Sequence, residues 1–397
     1  NWDEYLLEFE NYITANGAEV LWAEDAAQAT DFIKKILTEN EAKLLVKSKS
    51  MTTEEIELNH TAESIGCESV ETDLGEFIVQ VAGERPYHIV TPAMHKSKGD
   101  IAKLFNEKFN TPIESTPEEM TEYVRQVLRK KYTSAQIGVT GANFLIADIG
   151  GISVTENEGN GLMTTAFPKI HIVIAGIEKI IPKFSQLGLF YPLLAAHGTG
   201  QQMTAYNSVF TAPRKTNEVD GPQKMYVILL DNGRTNIFAD DEAYESLSCI
   251  RCGACLNGCP VYKTIGGYTY DTTYSGPIGS VITPFLRGFK DFGHLSFASS
   301  LCGKCNEVCP VKIPLTDILL ANRRKTVEKG LRPSVEKLAM RGFKYISADR
   351  KGFNFIPSAI KNVGLTPFNY FGWGTKRKMP IFAKKSFSEE YLKRNQK

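Results

Sequence analysis

Short runs of Val, Ile and Leu alternate with amphipathic stretches along the first 230 or so residues of the chain. Short apolar runs bounded by polar or turn-forming residues are typical of strands that are buried on both faces of a sheet. The pattern therefore predicts strands at residues 42–46, 77–82, 87–90, 136–140, 144–147, 152–155, 170–175 and 225–230.

Capping residues mark the starts of helices between these strands. Thr116, Pro117 and two glutamates predict a helix that continues to about Lys131, and Thr52 or Thr53 followed by two more glutamates predicts another. Strands that alternate with helices favour a sheet whose faces are covered by those helices. We therefore expect an α/β domain with a largely parallel, buried sheet.

The pattern changes after this region. Residues 211–223 are polar and contain Pro and Gly, which predicts a loop, and residues 266–280 are rich in Gly, Tyr, Ser and Thr, which predicts a second loop. Beyond Gly330, Lys and Arg mix with Phe, Tyr and Trp. We predict three parts: an α/β domain at 1–235, a smaller α-helical domain at 236–325, and a basic aromatic tail at 326–397.

Composition places the chain among ordinary globular proteins. It is 42% hydrophobic and 23% charged, which excludes disorder, collagen and coiled coil as descriptions of the whole chain. The net charge of +1 conceals an asymmetry, because residues 321–397 contain 19 Lys and Arg against 5 Asp and Glu. That +14 segment is expected to fold back on the acidic remainder or to dock elsewhere. The basic residues follow no nucleic-acid-binding motif, so nucleic acid is not expected as a partner.

Seven of the eight cysteines form two closely spaced groups that repeat a motif. The first group is Cys249, Cys252, Cys255 and Cys259, followed by Pro260; the second is Cys302, Cys305 and Cys309, followed by Pro310. This is the ferredoxin run, in which three close thiolates hold one iron–sulfur cluster and the cysteine before proline ligates the other. Zinc sites use two cysteine pairs with a longer spacer, so zinc is the less favoured reading.

Applying that crossing rule assigns the ligands of two 4Fe-4S clusters. Cys249, Cys252, Cys255 and Cys309 would hold the first, and Cys259, Cys302 and Cys305 the second. The position equivalent to Cys249 is Ser299 in the second repeat, so the second cluster lacks a fourth thiolate. Its remaining ligand is then the Ser299 hydroxyl, water, His294 or a group from a partner; alternatively the site holds a 3Fe-4S cluster. Cys67 is expected to be a buried structural residue.

A ligand pocket is a second candidate site, at predicted strand ends where open α/β sheets bind ligands. Its candidate residues are Lys47, Ser48 and Lys49 after one strand, Thr140 and Asn143 after another, and Glu158 in an acidic, Gly-bearing loop. Two lysines and a hydroxyl suit a carboxylate or phosphate. A solvated charge run and ordinary turn chemistry explain the same residues about as well. No catalytic residue is assigned.

The motifs together resemble the lactate-utilisation protein B (LutB) family over nearly the whole chain. The resemblance lies in the cysteine runs 249–260 and 301–313 and in residues 47–52 (KSKSMT), 71–76 (ETDLGE), 138–143 (GVTGAN) and 176–180 (GIEKI), which are similar to that family's LUD domain. The family's N-terminal extension is missing, so we expect Asn1 to be an internal position.

The resemblance implies a fold and a function. The fold would be a LUD domain, with the sheet of ribose-5-phosphate isomerase and the CoA transferases, plus a two-cluster ferredoxin-type domain. The function would be that of an iron–sulfur subunit which oxidises L-lactate to pyruvate only together with partners, a cysteine-rich protein (LutA) and another LUD protein (LutC). It would pass electrons through two 4Fe-4S clusters to an unidentified acceptor.

Two other functions remain open at the level of sequence. The LUD domain itself could bind or activate a small carboxylate or CoA-type substrate. Alternatively, the chain is mainly a docking scaffold, because the tail places aromatic residues at 367–373 beside cations at 376–378. Such a pattern suits an anionic membrane surface or an acidic partner. We expect a cytoplasmic protein that is peripheral at the membrane if the tail binds there.

Overall fold

Ten strands form two sheets in the part of the chain that the computed structural model describes, residues 1–368 and 381–395. In the larger sheet all six strands are parallel, in the order β1-β10-β7-β4-β2-β3, and the smaller, mixed sheet has the order β8-β5-β6-β9. The strands are β1 Glu19–Ala23, β2 Leu44–Lys47, β3 Glu68–Glu71, β4 Ile137–Thr140, β5 Phe144–Ile146, β6 Gly151–Glu156, β7 Ile170–Gly176, β8 Ile180–Ile181, β9 Tyr206–Phe210 and β10 Lys224–Leu230.

The predicted parallel, buried sheet is confirmed. The central strands β2, β4 and β7 are buried at every position, because helices and the smaller sheet cover both of their faces. Six of the eight predicted strands occur within a few residues of their expected bounds, and residues 211–223 form the predicted loop. The carboxyl ends of β2, β4, β7 and β10 lie at one edge of the sheet.

Helices of 4 to 18 residues connect these strands and build the domain that follows. In residues 1–328 they are α1 Trp2–Ala15, α2 Ala26–Glu39, α3 Met51–Glu55, α4 Leu58–Glu63, α5 Leu74–Ala82, α6 Lys98–Phe109, α7 Pro117–Ser134, α8 Asn160–Ala166, α9 Leu187–Gly198, α10 Arg234–Phe238, α11 Ala254–Gly258, α12 Pro260–Ile265, α13 Gly276–Arg287, α14 Phe289–Phe292, α15 Lys304–Val308 and α16 Leu315–Glu328. The predicted cap of α7 is present, since Thr116 and Glu119 form a capping box ahead of Pro117.

Two of the predicted strands are wrong. Residues 77–82 belong to α5, because Asp73 accepts a hydrogen bond from the Glu76 backbone N–H at its start and Gly83 adopts a left-handed conformation at its end. These two signals specify a helix in spite of the Val and Ile content. Residues 87–90 form a loop without a strand, and there Tyr87 stacks on His95 and packs edge-on against Tyr268.

The region between the two cysteine groups is also more regular than predicted. Residues 266–280 were expected to form a loop, but α13 begins at Gly276 and is buried from Gly276 to Pro284. Gly279 allows this packing, since a Cβ atom there would lie 1.8 Å from the Tyr274 carbonyl oxygen. The core of this helical region joins α11, α13 and α16 through Leu256, Ile282 and Ile318.

The structure divides into two units, residues 1–328 and 329–397. The second unit contains α17 Ser334–Ser347, α18 Arg350–Phe355, α19 Ser358–Phe368 and α20 Phe387–Asn395. Helix α17 exposes Val335, Leu338 and Phe343, while Lys337 and Lys344 lie on its opposite side by helical periodicity. None of the helices in the described ranges combines the length and the hydropathy that a membrane span requires. Of the aromatic and basic tail motif, residues 369–378 lie outside the described residues.

Candidate metal centre and adjoining cavity

The seven closely spaced cysteines lie in two groups, and each group draws on both sequence motifs. Cys249, Cys252 and Cys309 all act electrostatically on the Cys255 thiol. Cys252 and Cys255 belong to the loop and short helix α11, whereas Cys309 follows α15, which packs against α11. The last cysteine of the second motif therefore lies with the first three cysteines of the first motif.

The second group shows the reciprocal arrangement. The pKa of Cys305 is raised to about 11, by burial first and then by the nearby thiols of Cys259 and Cys302. Cys302 is exposed, and its pKa is lowered because the backbone N–H of Lys304 and the side chain of Ser300 bond to its sulfur. The last cysteine of the first motif thus lies with the two cysteines that open the second.

The donor set fits iron–sulfur clusters. All seven cysteines are free thiols, and burial raises the pKa of Cys252 to about 11 and that of Cys255 still further, with neighbouring thiols adding to the shift. Buried sulfurs of this kind become thiolates only when a bound cation compensates their charge. Soft thiolate ligands in tight loops are the donors that iron–sulfur clusters use.

The two cysteine loops share the same backbone conformation, although one cysteine of the motif is replaced by Ser299 in the second loop. Arg251 and Gly253 in the first loop have φ of 61° and 78°, and Leu301 and Gly303 in the second have φ of 52° and 81°. Non-glycine residues rarely adopt this left-handed conformation. Two such residues at equivalent positions therefore indicate that both loops curl in the same way.

Ser299 occupies the position of the missing cysteine. The Arg251 backbone N–H donates to Cys249 Sγ at 3.4 Å, and the Leu301 N–H donates to Ser299 Oγ at 3.2 Å. Arg323 also donates to the Ser299 carbonyl oxygen at 2.8 Å, which holds this loop in place. His294, the other candidate ligand, is exposed, and its Nδ1 lies 2.7 Å from the Asp291 carbonyl oxygen.

Backbone N–H groups also point at the sulfurs that follow each short helix. Tyr262 N–H donates to Cys259 Sγ at 3.5 Å, and Ile313 N–H donates to Cys309 Sγ at 3.4 Å. Hydrogen bonds to ligating sulfur stabilise the more negative, reduced state of a cluster. The chain therefore supplies a means of adjusting a cluster potential at both cysteine–proline positions.

A cavity of about 370 Å³ adjoins the first cysteine loop, between that loop and the carboxyl ends of the parallel strands. Four of the six pocket residues predicted from the sequence line this cavity, namely Ser48, Lys49, Asn143 and Glu158. Cys252 also lines it. The structure thus brings the nominated residues from three separate loops to one space beside a cysteine of the first group.

The other two nominated residues lie away from this cavity. Lys47 is fully buried, and its Nζ donates to Glu54 at 2.7 Å and lies 2.7 Å from Glu71. Burial alone would lower the pKa of Lys47, but these carboxylates and Glu76 raise it above its ordinary value. Thr140 Oγ1 lies 2.8 Å from Nε2 of His171, which is also buried. Both residues act within the core of the domain.

Acidic and amide groups line another part of the cavity wall. Burial, and then the charge of Asp73, raise the pKa of Glu158 to about 7. Its Oε2 accepts a hydrogen bond from the Leu74 N–H at 3.1 Å. Asn143 Oδ1 accepts from the Thr155 N–H at 2.8 Å, which directs the amide nitrogen of Asn143 elsewhere. This wall can donate and accept hydrogen bonds.

The cysteine side of the cavity is cationic, which the sequence analysis missed. Lys179, in the 3₁₀ turn after β7, and Arg251, between Cys249 and Cys252, both line the cavity. The pKa of Lys179 is lowered to about 8, first by burial and then by the positive charge of Arg251. The available signal was a lysine only three positions beyond the fully buried strand β7, because residues so close to a buried strand end are expected to be enclosed.

Arg234 holds two carboxylates, Glu55 and Glu178, together at the same edge of the sheet. It is 1% exposed, donates from Nε to Glu178 at 2.5 Å, and donates from Nη1 and Nη2 to Glu55 at 3.0 and 2.9 Å. Tyr274, from the helical region, donates to Glu55 at 2.6 Å. Gly176 is required here, because a Cβ atom would lie 2.0 Å from a Glu178 oxygen. This network joins the sheet to the cysteine-bearing region.

Comparison with known proteins gives matches over both regions. Residues 6–230 match the family model of the LUD domain, and residues 245–313 match that of the 4Fe-4S dicluster domain. Proteins named lactate utilization protein B are 44% identical in Bacillus licheniformis, over 96% of this chain and 80% of the relative, and 44% identical in Bacillus subtilis, over 93% and 77%. The Geobacillus kaustophilus protein of that name is 41% identical over 99% and 85%.

A solved structure is also similar in part. It is described as a DUF162 family protein from Deinococcus radiodurans, and the similarity covers 58% of this chain and 98% of that chain, with 15% identity and a TM-score of 0.34.

Proposed function

The chain belongs to the lactate utilization protein B family, and from this premise we propose that it is the iron–sulfur electron-transfer subunit of a complex that oxidises L-lactate to pyruvate. Its partners would be a cysteine-rich LutA-like subunit and a LutC-like LUD subunit. Electrons would pass through two 4Fe-4S clusters to a downstream acceptor.

The interleaving of the two cysteine groups carries this proposal. Each group contains a cysteine from the other motif, so two clusters held in this way would share the helices α11 and α15. Short separation is what single-electron relay between clusters needs, and the shared helices fix that separation. Cys249, Cys252, Cys255 and Cys309 would hold one cluster, and Cys259, Cys302 and Cys305 would hold the other.

The clusters, when bound, supply reversible one-electron chemistry. The chain's own residues hold them and set their surroundings: Cys252, Cys255, Cys305 and Cys309 are buried, which limits access of water to the sulfurs. The backbone N–H groups of Arg251, Tyr262 and Ile313 bond to ligand sulfurs. The proposal assigns the three parts of the chain as a LUD domain at 1–235, a ferredoxin-type domain at 236–325 and a basic tail at 326–397.

Reduction of the clusters by substrate tests the proposal. The full chain, prepared anaerobically with its partner subunits, is expected to show the EPR signal of reduced 4Fe-4S clusters after L-lactate is added. The same chain without partners should respond to dithionite but not to lactate. Clusters that dithionite reduces, while lactate leaves them oxidised in the complete assembly, would contradict an electron-transfer role in lactate oxidation.

Ser299 provides a further prediction about the second cluster. Ser299→Cys places sulfur where the Leu301 N–H now meets an oxygen, and the two loops curl alike. A fourth thiolate should hold the iron that is otherwise lost first, so we expect the second cluster to survive exposure to air several-fold longer. Iron content and EPR during timed air exposure provide the measurement.

Ser299→Ala is the matched control, because it removes the hydroxyl without adding a sulfur. We expect its second cluster to lose iron at least as fast as that of the unchanged chain. Equal rates of iron loss in the Ser299→Cys variant and the unchanged chain would show that position 299 does not face the cluster.

A further inference from the structure

Lys179 is a buried cation without a contacting partner. It is 9% exposed and lines the cavity beside the first cysteine loop. Within the described ranges, its ammonium group makes no hydrogen bond and has no carboxylate within 4.0 Å. A buried charge without a counter-ion in contact is unfavourable unless another group compensates it. The cavity is the space from which such a group can reach Lys179.

Arg251 adds a second donor on the same wall. Its Nη2 lies 3.4 Å from Glu178, and its guanidinium lies over the Tyr274 ring at 4.5 Å from the ring centre. Its Nη1 is buried and has no hydrogen-bond partner in the described residues. A guanidinium nitrogen without a partner can donate to a carboxylate or phosphate, and because Nη1 is enclosed, the Arg251 side chain has to turn toward the cavity to do so.

The neighbouring carboxylates do not neutralise this wall. Two buried cations, Lys179 and Arg234, and the partly buried Arg251 face the carboxylates of Glu55 and Glu178, whose side chains are at most 5% exposed. Both carboxylates are already bound by Arg234. One positive charge therefore has no carboxylate partner at this end of the cavity, where the Cys249 sulfur is the other anionic group acting on Lys179 and Arg251. An anionic ligand is favoured here to the extent that the cluster leaves this charge unbalanced.

The part of the wall that Asn143 and Glu158 line favours a polar but uncharged group. The Thr155 N–H holds Asn143 through its amide oxygen. In the described ranges the amide nitrogen of Asn143 makes no hydrogen bond and is left to donate to a ligand. Glu158 lies on the same wall, with Asp73 close enough to raise its affinity for a proton. An amide donor beside such a carboxyl group suits a hydroxyl or carbonyl oxygen.

The cavity is small. Its volume of about 370 Å³ lies near the lower end of ligand sites, which suits a short acid together with several waters rather than a dinucleotide.

We propose that this cavity binds a short organic acid with a hydroxyl or carbonyl group, whose carboxylate lies between Lys179 and Arg251 and whose second oxygen faces Asn143. One part of this inference rests on the proposed electron-transfer function, namely that a ligand bound here would lie beside the first cluster, next to Cys252. The binding site itself depends on the chain's own residues.

Calorimetric titration of the full, cluster-loaded chain under anaerobic conditions tests the site, with pyruvate as the probe. We expect Lys179→Met to weaken pyruvate binding by about tenfold or more, because a charge-assisted hydrogen bond is lost. Lys183→Met is the matched control, since Lys183 is exposed on the same edge and does not line the cavity; it should bind pyruvate normally.

A second comparison does not depend on the folding of the Lys179 variant. Acetate has the carboxylate but lacks the second oxygen, so Asn143→Ala should weaken pyruvate binding and leave acetate binding unchanged. Absence of pyruvate binding at millimolar concentration to a chain with full iron and sulfide content would overturn the proposal. So would equal affinities of the Lys179→Met and unchanged chains.

The alternative is that Lys179 and Arg251 serve only to balance the negative charge of the first cluster. Lys179→Met would then shift the reduction potential of that cluster while the unchanged chain binds no pyruvate, and this outcome overturns the binding site. It leaves electron transfer intact. Conversely, pyruvate binding together with clusters that L-lactate cannot reduce in the complete assembly would support the site and contradict the proposed function.

Discussion

The double substitution Cys252→Ala and Cys309→Ala is expected to remove no more iron than either substitution alone. The two sulfurs lie in one group, although their residues belong to different sequence motifs. Alanine supplies no hydroxyl in place of the lost sulfur, unlike Ser299 in the second repeat, so we expect the first cluster to be lost with one ligand. A second substitution in the same cluster then has little iron left to remove. Each single variant and this double variant should retain about half of the iron, as the remaining cluster is untouched.

The matched double substitution, Cys252→Ala with Cys259→Ala, should remove nearly all of the iron. Cys259 occupies the same cysteine–proline position as Cys309 in its motif but lies with Cys302 and Cys305. The two losses therefore fall on different clusters and add together. Iron and sulfide content, with EPR of the dithionite-reduced chain, gives the comparison directly.

Reversal of these two results would indicate that each motif holds its own cluster without crossing. A control substitution is available in Cys67, which is 1% exposed and packs in the core around β2 and β4. Cys67→Ala should retain both clusters. Loss of iron in that variant would mean that iron content reports general instability rather than ligand loss.

The parallel sheet was predictable because its physical signal is local. Strands β4, β7 and β10 are continuous apolar runs, since both faces of the sheet are buried. Residues 77–82 show the limit of that signal, because a short apolar run does not distinguish a strand from a buried helix. The deciding information lay outside the run, in Asp73 and Gly83 at the two ends of α5.

The candidate site was predictable where spacing determines it. The repeat of the cysteine motif predicted the two thiol groups, and the ends of strands β2 and β4 predicted Ser48, Lys49 and Asn143 at one cavity.

The cationic wall was not predictable, because it depends on distance in the fold rather than in the sequence. Lys179 and Arg251 are 72 positions apart, and only the packing of the cysteine loop against the sheet edge brings them to one cavity. Lys47 illustrates the opposite case. A lysine that opens a Lys-Ser-Lys-Ser run resembles a binding loop in sequence. At the last position of β2, however, its side chain points into the core toward Glu54 and Glu71.

Arg234→Met is expected to lower the free energy of unfolding by about 3–5 kcal/mol, the range for removing one partner of a buried ion pair. Arg234, Glu55 and Glu178 are at most 5% exposed, so the variant leaves two buried carboxylates without their main counter-ion. Tyr274 would still donate to Glu55. Urea unfolding of the cluster-loaded chain, followed by circular dichroism under anaerobic conditions, measures the loss.

Arg125→Met is the matched control, since Arg125 pairs with Glu122 on the surface of α7 and exposed pairs contribute little. Its unfolding midpoint should match that of the unchanged chain.

The pH dependence of the Arg234→Met variant separates loss of charge compensation from simple loss of packing. In the unchanged chain burial raises the pKa of Glu178, but Arg234 and other cations hold it at about 2. The stability that Glu178 contributes there is lost only as the pH falls toward that value. Without Arg234, burial should raise the pKa of Glu55 and Glu178 above that of an unfolded glutamate. The folded variant then binds more protons than its unfolded state, so protonation stabilises it as the pH falls. The difference in unfolding free energy between the variant and the unchanged chain should therefore become smaller as the pH is lowered from 8 to 5.5. A difference that stays constant over this range would mean that Arg234 acts through packing alone.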